Sequence, residues 1–134
     1  WMILQHDNPE DWVIATGTTT KIRDFVKMAF QHVGIELDFR GKGIEEIAVV
    51  KSCSNPKYKL EIGKEVLSVD SRYFRPTEVD LLIGDPSKAK EKLGWVPETS
   101  LKELVNEMMK SDIKLFERDR YLNEGGYKTF NYYE

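Results

Sequence analysis

Apolar side chains recur along this chain with two different periods, and the change of period divides it into elements. Ile22, Phe25, Val26, Ala29, Phe30 and Val33 fall at i, i+3, i+4, i+7, i+8 and i+11, the spacing of one helix face, with polar residues opposite. This spacing predicts a helix over 20–34, with Thr20 as N-cap and Gly34 just past its end. Before it, Trp12, Val13, Ile14 and Ala15 form an unbroken apolar run ending at Thr16 and Gly17, which predicts a buried strand. After it, Ile35, Leu37 and Phe39 alternate with Glu36 and Asp38 as in a half-buried strand, stopped by Gly41-Lys42-Gly43. Strand, helix and strand in that order predict a βαβ unit.

The pattern is shorter-ranged farther on. Residues 47–50 and 66–69 read as strands, 51–57 as a polar loop with turn chemistry, and 79–83 as a further short apolar run. Asp85 is placed to cap a helix that has Pro86 at its start and Gly94 at its close. Ser100 and Glu103 make a capping box for a longer helix, whose Leu101, Leu104, Val105, Met108 and Phe116 keep helical spacing. Trp1-Met-Ile-Leu-Gln5 reads as the last turn of a helix, and with no initiator methionine ahead of it the expectation is a fragment of a longer protein.

Composition narrows the class. The 134 residues are 32% charged and 40% hydrophobic with a net charge of −3, which describes one globular domain rather than a disordered tail. Twenty basic residues against twenty-three acidic ones create no field for a phosphate polymer or an anionic bilayer, so neither nucleic acid nor membrane is expected as a partner. No apolar run approaches the roughly 20 residues that span a bilayer, and a cytoplasmic location is the expectation. Cys53 is the single cysteine, which leaves no intramolecular disulfide and no cysteine zinc cluster.

Catalytic signatures are missing. Gly41-Lys42-Gly43 lacks the third glycine of a dinucleotide fingerprint, no Walker loop or nucleophile elbow is present, and no tyrosine has a lysine four positions later. His6 and His32 stand in no metal-ligand spacing. No catalytic and no metal-binding residue is therefore assigned.

The stretch from Arg72 to Asp80 is the most informative. Pro76 biases Arg75 toward an extended backbone, so its guanidinium can project from a loop as a bidentate donor for a phosphate or diphosphate. Glu78, three positions on, could accept two hydrogen bonds from a ribose diol or a guanine edge, with Tyr73 and Phe74 as walls. The alternative at the same residues is a surface Arg75–Glu78 ion pair of little energetic consequence, with the aromatics in the core.

Six segments carry a resemblance to a known family: Trp1-Met-Ile-Leu-Gln5, Glu10-Asp-Trp-Val-Ile-Ala-Thr-Gly17, Ile22-Arg-Asp-Phe-Val26, Gly41-Lys-Gly-Ile-Glu-Glu46, Arg72-Tyr-Phe-Arg-Pro-Thr-Glu-Val-Asp80 and Gly84-Asp-Pro-Ser-Lys-Ala-Lys-Glu-Lys-Leu-Gly-Trp95. Together they resemble the C-terminal part of the GDP-mannose 4,6-dehydratases, extended short-chain dehydrogenase/reductases that convert GDP-mannose to GDP-4-keto-6-deoxymannose on the path to GDP-fucose. The resemblance implies an α/β chain that is the substrate-binding portion of that fold, its Rossmann cofactor domain absent. Residues 1–134 would form one substrate-binding domain, with 1–17 packing as the edge of the missing cofactor domain. It implies Arg75 on the diphosphate and Glu78 on the nucleoside of GDP-mannose, and NADP bound by the full-length enzyme but not by this chain alone. Residues 1–15 and the apolar helix face would then be covered by the N-terminal Rossmann portion or by another copy, in a homo-oligomer. Two other readings share the same residues: a free-standing, non-catalytic nucleotide-binding or interaction module, and a related epimerase or dehydratase using UDP or dTDP sugars.

Overall fold

A computed structural model describes residues 1–77 and 81–129. The predicted central helix is present as α1, Ile22–His32. It starts without a side-chain cap, Lys21 standing in the position expected of Thr20, while Asp24 in the first turn complements the helix dipole. The chain then turns at Gly34 into three strands: β1, Ile35–Arg40; β2, Ile47–Cys53; and β3, Glu65–Ser68. Strand β2 runs three residues into the segment that the sequence predicts as a polar loop.

All the pairings are antiparallel, in the order β1-β2-β3. Ile35 faces Cys53 and Arg40 faces Ile47, with an irregularity after Glu36, so the alternation of Ile35, Leu37 and Phe39 is tied to the apolar run of β2. Paired on both edges, β2 holds the sheet's core, and Ala48, Val49 and Val50 are buried. Helix α1 packs on β1 and on the long C-terminal helix. The hairpin base is closed by Gly34, whose carbonyl accepts the Ser54 N–H at 2.9 Å and the Ser54 hydroxyl at 3.0 Å.

The longer of the two later helices carries its predicted start, whereas the shorter begins one residue later than expected, with Pro86 at its N-cap. In α2, Ser87–Leu93, the Asp85 carboxylate accepts the Ser87 N–H at 2.9 Å and its hydroxyl at 2.6 Å, and Gly94 ends the helix. In α3, Leu101–Glu124, the Glu103 carboxylate accepts the Ser100 N–H at 2.8 Å while the Ser100 hydroxyl accepts the Glu103 N–H. Val105 buries α3 against the rest of the fold, a His32–Asn106 hydrogen bond of 2.9 Å ties it to α1, and Tyr58 donates to Glu117 at 2.8 Å.

Two expectations are corrected. Residues 12–15 are not a strand, Val13 and Ile14 stay half exposed, and without a strand before α1 there is no βαβ unit. An apolar run becomes a strand only where an edge offers it hydrogen bonds, and no strand of the described residues does. The segment lies instead along residues 84–88. Gly84 passes so close that a Cβ there would stand 2.6 Å from the Ala15 Cβ. Lys88 donates to the Asp11 carbonyl at 2.8 Å and its ammonium sits 5.0 Å from the Trp12 ring, which also meets His6 in a T-shaped contact. Second, the start of the chain is a single 3-10 turn, Met2–Gln5, with Trp1 and Leu4 more than four-fifths exposed. Of the expected apolar run over 79–83, Val79 and Asp80 lie outside the described residues, and Leu81, Leu82 and Ile83 are exposed.

The chain exposes 11256 Å², against roughly 7,300 Å² for a compact monomer of its mass. Large apolar side chains among the exposed residues include Leu4, Ile22, Ile62 and Leu82.

Glu10 fastens the N-terminal segment to α2 by accepting from Lys92 at 2.8 Å and pairing with Lys88 at 2.8 Å. Those bonds, Lys88 first and Lys92 second, lower its carboxyl from 4.5 to about 2. The folded value is depressed, so the stabilisation is complete above pH 4.5 and is lost as pH falls toward 2. An NMR titration of the Glu10 carboxyl should find a midpoint near 2 that rises toward 4.5 when Lys88 and Lys92 are both replaced by Met; an unshifted midpoint in the unmodified chain would contradict the contact.

Candidate functional site

The turn after β1 places the first component of the site. Gly41 has φ +77°, and a Cβ there would overlap the Glu45 carbonyl, so the tight reversal is open only to glycine. The 3-10 turn Gly43–Glu45 follows and delivers Glu46 to the head of β2. Glu46 then works at both ends. Its carboxylate accepts from Arg23 of α1, at 2.8 Å from Nε and 2.6 Å from Nη2, and its carbonyl accepts the Val69 N–H at 3.3 Å as the chain leaves β3. The Arg23 guanidinium and the Lys27 ammonium lie 5.4 and 5.5 Å from the centre of the Phe39 ring. Around these groups opens a cleft of about 420 Å³, lined by Lys21, Ile22, Arg23 and Val26 on the α1 side and by Phe39, Glu46, Leu67 and Val69 on the sheet side.

Val69 also begins the loop that the sequence singles out. Asp70 organises its first half: its carboxylate accepts the Arg72 N–H at 2.9 Å and the Arg72 guanidinium at 2.7 Å, and its carbonyl takes the N–H groups of Tyr73 and Phe74, both at 3.1 Å. The Arg72 bonds hold the Asp70 carboxyl below its ordinary value, and Asp70 in turn raises Arg72. Phe74 reaches back to the first turn, where a Cβ on Gly43 would be 3.5 Å from its ring. Arg75 comes next, exposed, in a non-helical stretch before Pro76.

The structure therefore separates residues that the sequence treats together. Of the two aromatics, Phe74 is half buried against the Gly43 turn, whereas Tyr73 is exposed with the Arg72 guanidinium 5.6 Å from its ring centre. Arg72 is committed to Asp70 and Arg75 is carried past it. Glu78 lies outside the described residues, so Arg75 is the member of the expected pair that the structure places. An exposed guanidinium on a loop tied down at Val69, Asp70 and Phe74 suits the oxygens of a phosphate group.

Arg23 and Glu46 escaped the sequence reading. Each sat inside a segment already explained, as a polar helix face and as a turn, and nothing local signals a pair 23 positions apart. Elsewhere the histidines are structural: His6 bonds the Asn8 carbonyl at 2.8 Å and His32 bonds Asn106. Among the described residues no three His, Cys, Asp or Glu side chains converge as a metal site, and no helix is long and apolar enough to cross a membrane.

Comparisons with known proteins place the chain in a family. Residues 1–108 match the family described as GDP-mannose 4,6 dehydratase, and the chain belongs to that family. It is 48% identical over 128 residues to a GDP-mannose 4,6-dehydratase of Yersinia enterocolitica, covering 95% of this chain and 34% of that one. A GDP-mannose 4,6-dehydratase of Vibrio cholerae is 48% identical, with 96% of this chain and 35% of the relative covered. For the human GDP-mannose 4,6 dehydratase the identity is 44%, with 86% and 28% covered. The chain thus spans about a third of the length of the bacterial relatives.

Gly41→Ala should destabilise the fold by roughly 1–3 kcal/mol from backbone strain alone, since L side chains rarely adopt this φ and the Glu45 carbonyl blocks the space. Denaturant unfolding measures it, and an unchanged midpoint would mean that the turn does not have this shape.

Proposed function

We propose that this chain is the nucleotide-sugar-gripping portion of a GDP-mannose 4,6-dehydratase. The observation that carries the reading is the position of Arg75, exposed on an anchored loop in a chain 48% identical to enzymes named for that substrate. Arg75 donates its guanidinium to the diphosphate, and Glu78 accepts from the nucleoside. Binding energy gathered there, remote from the hexose, orients the reacting sugar, so this portion contributes by positioning and adds no proton-transfer group of its own.

The dehydration of a hexose to a 4-keto-6-deoxy sugar needs a hydride carrier, and the full-length enzyme uses NADP. The described sheet is a three-stranded antiparallel one, in the order β1-β2-β3. The cofactor belongs to an N-terminal Rossmann portion of the extended short-chain dehydrogenase/reductase fold. That portion, or another copy in a homo-oligomer, covers the apolar surface around residues 1–15 and Ile22, with 1–17 lying at the domain edge.

In the full-length enzyme, Arg75→Ala should weaken GDP-mannose binding by about 1.5–3 kcal/mol, the range for hydrogen bonds to charged groups, and leave NADP affinity nearly unchanged. Lysine at the same position should recover only part of the loss, because a point charge does not reproduce a planar fork. Calorimetric titration of both ligands decides it; an unaltered GDP-mannose affinity would remove Arg75 from the site.

A further inference from the structure

Beyond the grip itself, we infer that Arg23 and Glu46 form a positioning pair that sets the Arg75 loop for its anion, an inference that rests on the reading of Arg75 as the diphosphate ligand. Glu46 is the only described residue that both accepts from α1, through its side chain, and holds the exit of β3, through its carbonyl bond to Val69. The same turn supplies Gly43, which faces the Phe74 ring, immediately before Arg75, across a space that would admit a methyl group. The loop from Val69 to Arg75 is therefore bonded to this turn at Val69 and lies over it at Phe74, and the turn is fixed to α1 by the Arg23 guanidinium. Phe39 of β1 backs the guanidinium at 5.4 Å and limits the directions it can take.

Energetics favour a geometric role over a stabilising one. The Arg23 side chain is 46% exposed and that of Glu46 19%, and a pair still open to solvent on one side contributes modestly to folding. Losing the pair should leave the hairpin folded but free the turn to shift under Gly43 and Val69, moving the guanidinium of Arg75 off its target. Binding weakens while the chemistry of the bound sugar does not change.

A double-mutant cycle in the full-length enzyme tests this. Arg23→Ala should raise the KM for GDP-mannose about three- to tenfold, the size of one lost hydrogen bond, with kcat held within about twofold. In the Arg75→Ala background it should raise KM no further, since a residue acting through Arg75 has nothing left to position. Exchanging the charges, Arg23→Glu with Glu46→Arg, should restore part of the affinity and covers the case in which Arg23→Ala fails to fold. Arg40→Ala, which breaks a surface pair with Asp38 in the same hairpin, is the control and should leave KM unchanged. Additive KM effects of Arg23→Ala and Arg75→Ala, or equal losses with and without Arg75, would overturn the inference while leaving the grip intact. If Arg75→Ala itself leaves KM unchanged, the reading on which the inference rests fails first.

Discussion

Glu46 is the residue on which the arrangement of the site depends. Its side chain accepts from a helix that precedes the sheet, its carbonyl receives the N–H of the residue that leaves the sheet, and the turn that delivers it is closed by Gly41. Three stretches far apart in sequence are thereby brought to one point: the first turn of α1, the β1–β2 turn and the loop from Val69 to Arg75. A candidate phosphate-binding arginine does not need burial to be effective; it needs a backbone that holds still. Here that rigidity comes from main-chain hydrogen bonds and one aromatic contact.

The remainder of the fold is built around a small core. Six apolar residues are buried among the described ones, most of them on β2 and β1 with single contributions from α2 and α3. The surface left open is far larger than a compact chain of this mass presents, and it includes large apolar groups from Trp1 and Leu4 through Ile22 and Leu82 to Tyr121. Burying each such side chain contributes roughly 1.5–3 kcal/mol, a sizeable share of a domain's net stability. In the proposed enzyme that surface is where the cofactor portion and neighbouring copies close the structure. The site and the cofactor are then assembled from different parts of the fold.

Local physics was legible in the sequence. The 3.6-residue spacing gave α1 and α3, alternation gave β1, and the cap chemistry of Asp85, Ser100 and Glu103 located two helix starts. What failed was the step from local pattern to pairing. Residues 12–15 have the apolar content of a strand but lie against Gly84 and Lys88 in place of an edge, and that choice is made by partners some seventy positions away. The same applies to the site: Pro76 and Arg75 announce themselves by type and order, whereas Arg23 and Glu46 acquire meaning only when the turn folds back on α1. The division of Tyr73 from Phe74 was also illegible, because both satisfy the same composition rule and only the position of Gly43 selects which one packs.

The most direct test of the account is a crystal structure of the full-length enzyme with GDP-mannose bound. The account predicts an Arg75 guanidinium nitrogen about 2.7–3.0 Å from a diphosphate oxygen, with the Glu46 carbonyl still bonded to Val69 beneath the loop. A diphosphate held by other side chains, with Arg75 turned to solvent beyond hydrogen-bond reach, would contradict it.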